Sequence, residues 1–530
     1  MLDWSIILAA ASGLILFLYG MEQFSREIQK VAGESFRAFL KRATKSTPRA
    51  VILGCVVTAI IQSSTAVTLI TLGLVESGIL SFTQSLGIIL GAGIGTTITA
   101  QLVAFKFTAL GSVFIPLGFA IGLFGGRFSF IGKAVFYFGL VFFGISLVSM
   151  ATAPLQEDPA VISLISNLSS VPLAILAGFI ITNLFQSSSL FTGLVVMFAG
   201  SGFLTIDMAI PLVLGSNIGT ITPLLASGNM GLFAKRTSVA QFLFNLGGVL
   251  IVLPFLPGFT SLIISLGGTT AQQAANAHTV FNVITTVVFL LVLHPFERFI
   301  MRIVPGKEEE ILFHTKVLND VLPDDNQKAF GQLEEELDHL MMHTSKAVED
   351  SSGMFPVPDK DTFNRLRKRE ALNDFIDEKI EKAALELSMR DLKEKEIART
   401  VLIIRMSNAM EQLADICVNL GYVVNSMAKW GRLSDDALAE LDTLYKGVGE
   451  DLRLIRKGFP RVSDATVVSM RQNDISIRES INTVYSRHMK RLKGRTPYAA
   501  GAFVKVISRL EAAHAKLREI RKLCELYGKL

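Results

Sequence analysis

Apolar residues dominate the first 303 positions of the chain, and polar interruptions divide them into stretches of membrane-spanning length. A helix that crosses a bilayer needs about 20 predominantly apolar residues. The pattern predicts nine membrane elements, at 5–24, 50–76, 83–104, 108–124, 134–150, 171–199, 207–226, 238–256 and 275–302. We therefore expect residues 1–303 to form an all-α, polytopic membrane domain.

The rest of the chain shows a different pattern, in which apolar positions recur every three or four residues among charged ones. This spacing is typical of amphipathic helices that pack in bundles. A polar linker is predicted over 304–330, and helices are predicted at 326–350, 361–390, 392–427, 434–457, 463–491 and 498–527. Six helices of this length predict a pair of three-helix bundles over residues 331–530.

The membrane part contains an internal repeat with an offset of 124 residues. The triplet Gln-Ser-Ser occurs at 62–64 and again at 186–188, and 14 of the 43 positions from Gly54 to Thr96 have an identical partner at that offset. Each triplet interrupts the middle of an apolar stretch. Non-helical backbone at membrane depth is tolerated only where it is buried in protein or lines a cavity. We therefore predict a re-entrant hairpin at each triplet.

Loop charges indicate how the two repeats are oriented. The formal net charge of +5 resides in the segment 26–49, and a basic segment beside membrane spans is typically cytoplasmic. The loops at 151–170 and 257–270 contain no Lys or Arg, so they are predicted on the opposite side. Two hairpins and seven crossings satisfy these charges and give the repeats, at about 13–105 and 137–229, opposite orientations. Transporters use such inverted repeats for alternating access, with the site where the halves meet.

Composition narrows the classes of function. From residue 304 to 530 there are 37 basic and 37 acidic residues, so a nucleic-acid site is not expected. The three cysteines lie far apart, without the spacing of a disulfide framework or a zinc site. No nucleophile–base arrangement, phosphate-binding glycine loop or histidine cluster is evident, so the chain is not expected to be an enzyme. The apolar run 6–19 is interpreted as a first membrane helix and not as a signal peptide. A first membrane helix that is not cleaved and a cytoplasmic C-terminal part together predict a location in the plasma membrane, specifically a bacterial inner membrane.

Uncharged hydroxyl and amide side chains in the repeats are the candidate substrate- and sodium-binding groups. Their oxygens suit Na⁺, a hard cation, while their donors and the N-termini of half-helices suit an oxyanion. The candidates are Gln62, Ser63, Ser64, Thr65, Thr96, Gln186, Ser187, Ser188, Ser189, Asn217 and Thr220. Alternatively, these side chains join helices by hydrogen bonds, and the glycines beside them allow close helix packing.

Pairs of polar residues four positions apart share helix faces elsewhere in the chain. In the membrane part, such groups either support the candidate site or hold helices together. These pairs are Gln241 with Asn245 and His278 with Asn282. In the charged part, carboxylate pairs either hold a divalent metal through their oxygens or face solvent. These pairs are Glu334 with Asp338, Glu370 with Asp374, and Glu411 with Asp415.

The membrane part resembles the sodium/phosphate cotransporter family, the type II group and its bacterial relatives. The motifs that carry the resemblance, within about 5–302, are Gln-Ser-Ser-Thr at 62–65, Gln-Ser-Ser-Ser at 186–189, Gly-x-x-Ile-Gly-Thr at 91–96 and 215–220, and Ala-x-x-x-Phe-Asn at 240–245 and 277–282. It implies sodium-driven movement of inorganic phosphate, with both triplets in one site and Thr96, Asn217 and Thr220 nearby. Thr65 and Gly93 depart from the fuller pattern, which leaves the sodium stoichiometry open.

The charged part resembles the PhoU family of phosphate regulators over about 332–530. The local match is the helix Met-Glu-Gln-Leu-Ala-Asp-Ile-Cys-Val-Asn at 410–419. The divalent-metal candidates that the resemblance implies are Glu370, Asp374, Glu411 and Asp415. The second bundle departs from the pattern, because Ala515 stands where an Asp is expected.

These expectations combine into a secondary active transporter. Sodium ions would drive inorganic phosphate across the plasma membrane by alternating access of inverted repeats, and a cytoplasmic PhoU-like domain would regulate the flux. Two alternatives remain: a membrane-bound phosphate sensor or regulator, and a carrier of another small oxyanion. Import against export, the sodium stoichiometry and the oligomeric state stay open, a homo-oligomer included.

Overall fold

The computed structural model describes residues 4–43, 46–105, 108–124, 126–153, 170–306, 309–318, 321–355, 359–427, 434–491 and 497–530. Within these residues the chain is helical and contains no strand. The chain divides into two compact units, Met1–Lys307 and Glu308–Leu530. Each unit has apolar cores of its own.

The first unit contains fourteen α-helices in its described residues, numbered α1 to α14 in chain order. They are Trp4–Ala43, Thr47–Ile61, Ser64–Glu76, Phe82–Ala104, Thr108–Gly122, Gly126–Thr152, Val171–Phe185, Ser188–Gly200, Ile206–Ile218, Thr222–Ala226, Leu232–Val252, Leu256–Ser265, Thr270–Leu291 and Leu293–Ile303. Six described stretches are long and apolar enough to cross a bilayer. These are Leu8–Ile28, Phe82–Ala104, Ser129–Ala151, Ile206–Asn229, Leu232–Ser265 and Thr270–Leu291.

Two segments that the sequence predicts as loops are helical. The basic segment 26–49 continues α1 as far as Ala43. A helix of 40 residues is about 60 Å long, about twice the hydrocarbon thickness of a bilayer, and the stretch of α1 apolar enough to cross one is Leu8–Ile28. The predicted loop 257–270 is mostly α12, because Pro257 falls in the first turn, where its missing N–H costs no hydrogen bond. The predicted loop at 151–170 lies almost wholly outside the described residues.

Each Gln-Ser-Ser triplet interrupts a helix. Gln62 ends α2 and Gln186 ends α7, both in the left-handed conformation with φ of 59° and 53°. Non-glycine residues adopt this conformation uncommonly, and it stops a right-handed helix. New helices then begin at Ser64 and Ser188. The interruptions leave each repeat with a pair of short apolar helices, of 15 and 13 residues.

Equivalent glycines bring the helices of both repeats into close contact. A Cβ on Gly54 of α2 would lie 2.1 Å from the carbonyl oxygen of Ile88 in α4. At the repeat offset, a Cβ on Gly178 of α7 would lie 2.3 Å from the carbonyl oxygen of Leu212 in α9. No side chain fits at such distances, so only glycine permits this backbone approach. The two repeats thus share one packing arrangement.

The helices α1 and α6 meet through a reciprocal contact. A Cβ on Gly20 of α1 would lie 3.0 Å from the backbone nitrogen of Val141 in α6. A Cβ on Gly144 of α6 would lie 2.6 Å from the backbone nitrogen of Phe17 in α1. Gly144 and Val141 stand 124 positions after Gly20 and Phe17. A contact in which two surfaces exchange equivalent partners is typical of a two-fold relation.

The second unit contains six long helices in its described residues, α15 to α20. They are Asn326–Gly353, Lys360–Ser388, Glu394–Met427, Asp435–Gly458, Asp464–Arg491 and Pro497–Gly528. The first three pack on one another, the last three form a second group, and α17 packs along α20. Every helix end lies within three residues of its predicted position. The larger core contains Leu372 and Leu413, and a smaller one contains Ile481 and Phe503.

Candidate functional site

A small cavity lies where the two repeats meet. Its lining comes from α3 and α4 of the first repeat, from α8 and α9 of the second, and from α11. The lining residues are Ser64, Ile89, Ala92, Gly93, Thr96, Ser188, Asn217, Thr220, Gln241, Phe244 and Asn245. The cavity volume is about 20 Å³, the room of about one water molecule. The structure therefore brings together five of the predicted site residues. These are Ser64, Thr96, Ser188, Asn217 and Thr220.

The residues of each triplet have different roles. The glutamine turns the chain, and the first serine caps the following helix. The Oγ atoms of Ser63 and Ser187 accept the backbone N–H three residues later, at 3.2 and 3.3 Å. The second serines, Ser64 and Ser188, begin α3 and α8 and line the cavity. The N-terminal ends of two helices thus meet at the cavity with a hydroxyl each, an arrangement that favours an anion.

The two glutamines lie in different environments. Gln62 is buried; its Oε1 accepts a hydrogen bond of 2.6 Å from Thr99, and its Nε2 donates one of 2.5 Å to the carbonyl of Ala59. Gln186 is exposed, and the position equivalent to Thr99 is Pro223, which has no hydroxyl. The predicted site residues that do not line the cavity are Gln62, Ser63, Thr65, Gln186, Ser187 and Ser189.

The second repeat departs from the first at its Gly-Thr sequence. Whereas α4 runs without a break, α9 ends at Ile218. Pro223 has no N–H to donate to the carbonyl of Gly219, so α9 cannot continue through this point. The C-terminal end of α9, which carries the negative end of the helix dipole, therefore lies beside Asn217 and Thr220 at the cavity.

Amides from α11 complete the cavity wall, an amide of α13 lies beside Gly93, and none of them is among the predicted site residues. Gln241 and Asn245 line the cavity, and the Oε1 of Gln241 is buried with no hydrogen-bond partner among the described residues. The Oδ1 of Asn282 lies 2.9 Å from where a Cβ on Gly93 would stand. This amide therefore takes the space that a side chain at position 93 would use. The four-residue spacing of Gln241 and Asn245 is the available signal, but helix packing produces the same spacing.

Three of the four predicted metal residues come together in the second unit. Ligand oxygens of Glu370 and Asp374 on α16 and of Asp415 on α17 lie within 4.8 Å of one another. Glu411, the fourth, precedes Asp415 by one helical turn. The pair of Glu334 and Asp338 does not join them.

Burial and mutual repulsion perturb these carboxylates. Burial, together with the charges of Asp374 and Asp415, raises the pKa of Glu370 to about 7. Burial and the charges of Asp415 and Asp374 raise the pKa of Glu411 to about 7 as well. Protons relieve this repulsion, and so would a divalent cation with its preference for carboxylate oxygen.

The second bundle contains a charge-compensated cluster instead of a second acidic one. The Oδ1 of Asp474 lies 3.2 Å from the Nε2 of buried His514 and 3.4 Å from the Nε of Arg518. Its Oδ2 lies 3.2 Å from Arg478. Two arginines already balance this carboxylate. Among the described residues, the Glu370 cluster is the group with the geometry of three metal ligands.

Two protein-family models match the chain. The model described as Na⁺/Pi-cotransporter matches residues 16–150 and 160–292, which contain both triplets and the whole cavity wall. The model described as PhoU domain matches residues 337–424, which lie in the first helical bundle and contain the acidic cluster.

Three relatives are similar to different extents. "Uncharacterized protein YqeW" of Bacillus subtilis is 33% identical over 307 residues, which are 57% of this chain and 100% of that protein. "Putative inorganic phosphate export protein YjbB" of Escherichia coli is 26% identical over 467 residues, 86% of this chain and 84% of that protein. "Sodium-dependent phosphate transport protein 2C" of Mus musculus is 41% identical over 107 residues, 19% of this chain and 18% of that protein.

Proposed function

Because the chain belongs to the Na⁺/Pi-cotransporter family and contains a PhoU domain, we propose that it is a secondary active transporter that couples sodium ions to the movement of inorganic phosphate. The family is one of membrane transporters and not of enzymes. The observation that carries the proposal is the cavity at which Ser64 and Ser188, equivalent residues of two repeats, meet.

The helix pairs α2–α3 and α7–α8 are proposed to be re-entrant hairpins. Helices of 15 and 13 residues are about 22 and 20 Å long, shorter than the hydrocarbon core of about 30 Å. The two halves of each pair also contact each other, α2 with α3 and α7 with α8, as expected where the chain turns back to the side from which it entered. The turns at Gln62 and Gln186 then lie at membrane depth, where non-helical backbone must be buried in protein or line a cavity.

The two repeats are proposed to have inverted orientations. If each hairpin returns to its own side, the chain crosses the membrane three times, in α1, α4 and α5, before it enters α6, the counterpart of α1. An odd number of crossings gives the two helices opposite directions. The reciprocal contact of Gly20 and Gly144 supports a two-fold relation between the repeats.

Phosphate is proposed to bind between the N-terminal ends of α3 and α8, with Ser64 and Ser188 donating hydrogen bonds to its oxygens. Sodium ions would bind to uncharged oxygens near the C-terminal end of α9. The groups that we assign to this shared site are Ser64, Ser188, Thr96, Asn217, Thr220, Gln241 and Asn245. The triplet residues whose side chains we expect to hold the hairpin tips in place are Gln62, Ser63, Thr65, Ser187 and Ser189, whereas the exposed Gln186 contributes its backbone turn.

The small size of the cavity supports a proposal of alternating access. A volume of about 20 Å³ holds about one water molecule, and phosphate, with four oxygens, is larger. The wall consists of both repeats, so the repeats must separate on one side to admit the ion and on the other to release it.

The second unit is proposed to be a cytoplasmic regulator of the flux, at the plasma membrane of a bacterium. Its acidic cluster, Glu370, Asp374 and Asp415 with Glu411 beside it, is proposed to hold a divalent metal through carboxylate oxygens. The raised pKa values of Glu370 and Glu411 support a site that gains from a cation.

The direction of transport is the part of the function on which two relatives' names differ. The relative named as an export protein matches 86% of the chain, in both units, whereas the relative named as sodium-dependent matches 19%. Sodium coupling and export are therefore separate hypotheses, and each needs its own measurement.

Radiolabelled phosphate uptake into proteoliposomes tests the proposal. Proteoliposomes that contain the pure protein are given either an inward sodium gradient or an equal potassium gradient. Protease protection of the C-terminal unit determines the orientation of the protein. We expect phosphate uptake that requires sodium and overshoots equilibrium. Inhibition of phosphate uptake by excess sulfate would indicate a carrier that accepts other small oxyanions as well. Tight phosphate binding in detergent without uptake in either gradient would overturn transport in favour of a sensor.

A further inference from the structure

Two histidines of α15 lie side by side in the second unit, away from the acidic cluster. His339 and His343 are four residues apart, on one helix face, and their Nε2 atoms are 3.1 Å apart. The side chain of His339 is 8% exposed, and His343 is half-buried. The sequence alone does not identify them as a candidate site, because two histidines four residues apart share a helix face whether or not they bind a ligand.

A buried carboxylate fixes the first histidine. Glu336 is fully buried, and its Oε1 accepts a hydrogen bond of 2.8 Å from the Nδ1 of His339. Its two oxygens also accept the backbone N–H groups of Lys316, Val317 and Leu318 at 3.0, 3.0 and 3.3 Å. The carboxylate of Glu336 thus accepts hydrogen bonds on both oxygens, which is the role of its ionised form.

This hydrogen bond determines which nitrogen of His339 carries a lone pair. An ionised carboxylate only accepts hydrogen bonds, so Nδ1 of His339 carries the proton and Nε2 presents its lone pair to His343. A carboxylate that orients a histidine in this way is the usual outer partner of a metal-bound histidine. Nδ1 of His343 is buried and has no partner among the described residues, so no hydrogen bond on that side fixes the orientation of its ring.

A third histidine, His314, lies beside His339 in the segment 309–318. Its ring centre is 5.9 Å from that of His339, and its exposed side chain places Nδ1 3.2 Å from the carbonyl oxygen of Leu312. The positive charges of Arg369 and Lys346 are each paired with the carboxylate of Glu309.

We propose that His339 and His343 bind a first-row transition metal ion such as Zn²⁺, and that the exposed His314 turns toward the ion as a third ligand. Two Zn–N bonds of about 2.0–2.1 Å with nitrogens 3.1 Å apart enclose an angle of about 100°, close to that of a tetrahedral site. Nitrogen ligands select zinc, nickel or copper, whereas the carboxylates of the Glu370 cluster select magnesium, calcium or manganese. The two sites are thus chemically distinct.

Metal binding at these histidines would also tighten the segment 309–318 at the start of the second unit. A metal on Nε2 of His339 polarises its Nδ1–H and strengthens the bond to Glu336. Glu336 in turn holds the backbone of residues 316–318 against α15. The bound ion therefore stabilises the attachment of this segment.

Zinc and cobalt titrations of the chelator-treated, full-length protein in detergent test the proposal. All variants carry Asp374→Asn and Asp415→Asn, so that the acidic cluster does not contribute. We expect one zinc ion per chain and a cobalt spectrum of low-symmetry nitrogen coordination. His343→Gln should weaken binding by about tenfold or more, whereas His294→Gln, at an exposed histidine of the first unit, should leave it unchanged.

A ligand exchange distinguishes coordination from a structural role. His343→Cys should keep zinc binding and add a sulfur-to-cobalt charge-transfer band, and zinc should slow proteolysis within 309–318 in the protein with His343 but not in His343→Gln. Stoichiometric binding that persists in His343→Gln, or no zinc binding at micromolar concentration by a folded protein with all three histidines, would overturn the proposal.

Discussion

Thr99 donates a hydrogen bond of 2.6 Å to the Oε1 of Gln62, and this bond has no counterpart in the second repeat. At the repeat offset, Pro223 replaces Thr99, and Gln186 is exposed where Gln62 is buried. The two hairpin tips therefore have the same backbone turn but different support. The first tip is fixed to α4, whereas the second lacks this bond. We expect the second tip to be the more mobile one during transport.

Thr99→Val should destabilise the protein through Gln62. Valine keeps the shape of threonine but removes the donor, which leaves a buried acceptor unsatisfied at a cost of about 1–3 kcal/mol. Thermal unfolding in detergent measures the change. Gln186→Ala is the matched control in the second repeat and should leave the melting temperature unchanged, because its side chain is exposed. Equal effects of the two variants would remove the asymmetry between the tips.

Gly91→Ala should prevent correct packing of α4 against α2. A Cβ on Gly91 would lie 1.9 Å from the carbonyl oxygen of Val51, and backbone atoms cannot move aside as a side-chain tip can. We expect a loss of about 3 kcal/mol, the upper end of overpacking costs, seen as low yield of folded protein. Gly215→Ala should have the same effect in the second repeat, where the distance to the carbonyl of Ile175 is 2.1 Å.

Gly73→Ala is the control for these glycine variants. Gly73 lies in α3, and a Cβ added there would have no atom within 4 Å. Alanine is favoured over glycine in a helix by about 1 kcal/mol, so we expect equal or higher stability. A Gly91→Ala protein as stable as Gly73→Ala would contradict the close packing of α2 on α4.

Much of this architecture follows from sequence patterns that local physics enforces. The helices of the second unit follow from apolar spacing, since each buries one face. The capping box at the start of α4 follows from Ser81 and Gln84, whose mutual hydrogen bonds are present. The helix breaks at Gln62 and Gln186 follow from polar triplets repeated inside apolar stretches.

Other features depend on contacts between distant segments and leave no local signal. Gln241 reaches the cavity because α11 packs beside both repeats, and Asn282 fills the space beside Gly93 because α13 crosses α4. The difference between the two tips depends on one position, threonine in one repeat and proline in the other. His339 gains its chemistry from Glu336 and from a segment some twenty residues earlier in the chain.

The stability of the second unit should fall as the pH rises from about 4.5 to about 7. Glu370 and Glu411 have pKa values raised from 4.5 to about 7 in the folded protein. Within this window the folded state holds protons that the unfolded chain has lost, so its stability decreases with pH and then levels off above the window. Thermal unfolding of the full-length protein at a series of pH values measures the slope.

Manganese should restore part of the stability lost at high pH. At pH 8 the cluster is ionised and a divalent cation replaces the protons, so Mn²⁺ should raise the melting temperature. In the double variant Glu370→Gln, Glu411→Gln, both the pH slope and the Mn²⁺ effect should shrink. An unchanged slope in that variant would assign the pH dependence to other groups.

Gln241→Leu should weaken the dependence of transport on sodium. The Oε1 of Gln241 lies at the cavity, buried and without a partner among the described residues, as expected of a cation ligand. We expect the sodium concentration for half-maximal uptake to rise by about tenfold, the equivalent of about 1.4 kcal/mol. Asn183→Ala, which removes an amide bonded to its own helix, is the control. A normal sodium dependence in Gln241→Leu would exclude this oxygen from the ion site.

The most direct test of a shared site compares Ser64→Ala with Ser188→Ala in the proteoliposome assay under a sodium gradient. Each variant removes one hydroxyl from one repeat, and Ser265→Ala, whose exposed hydroxyl bonds its own helix, is the control. If both serines bind one phosphate, both variants lose sodium-dependent uptake almost completely while inserting normally, and the control transports at the full rate. Full uptake by either variant would contradict a site shared between the repeats.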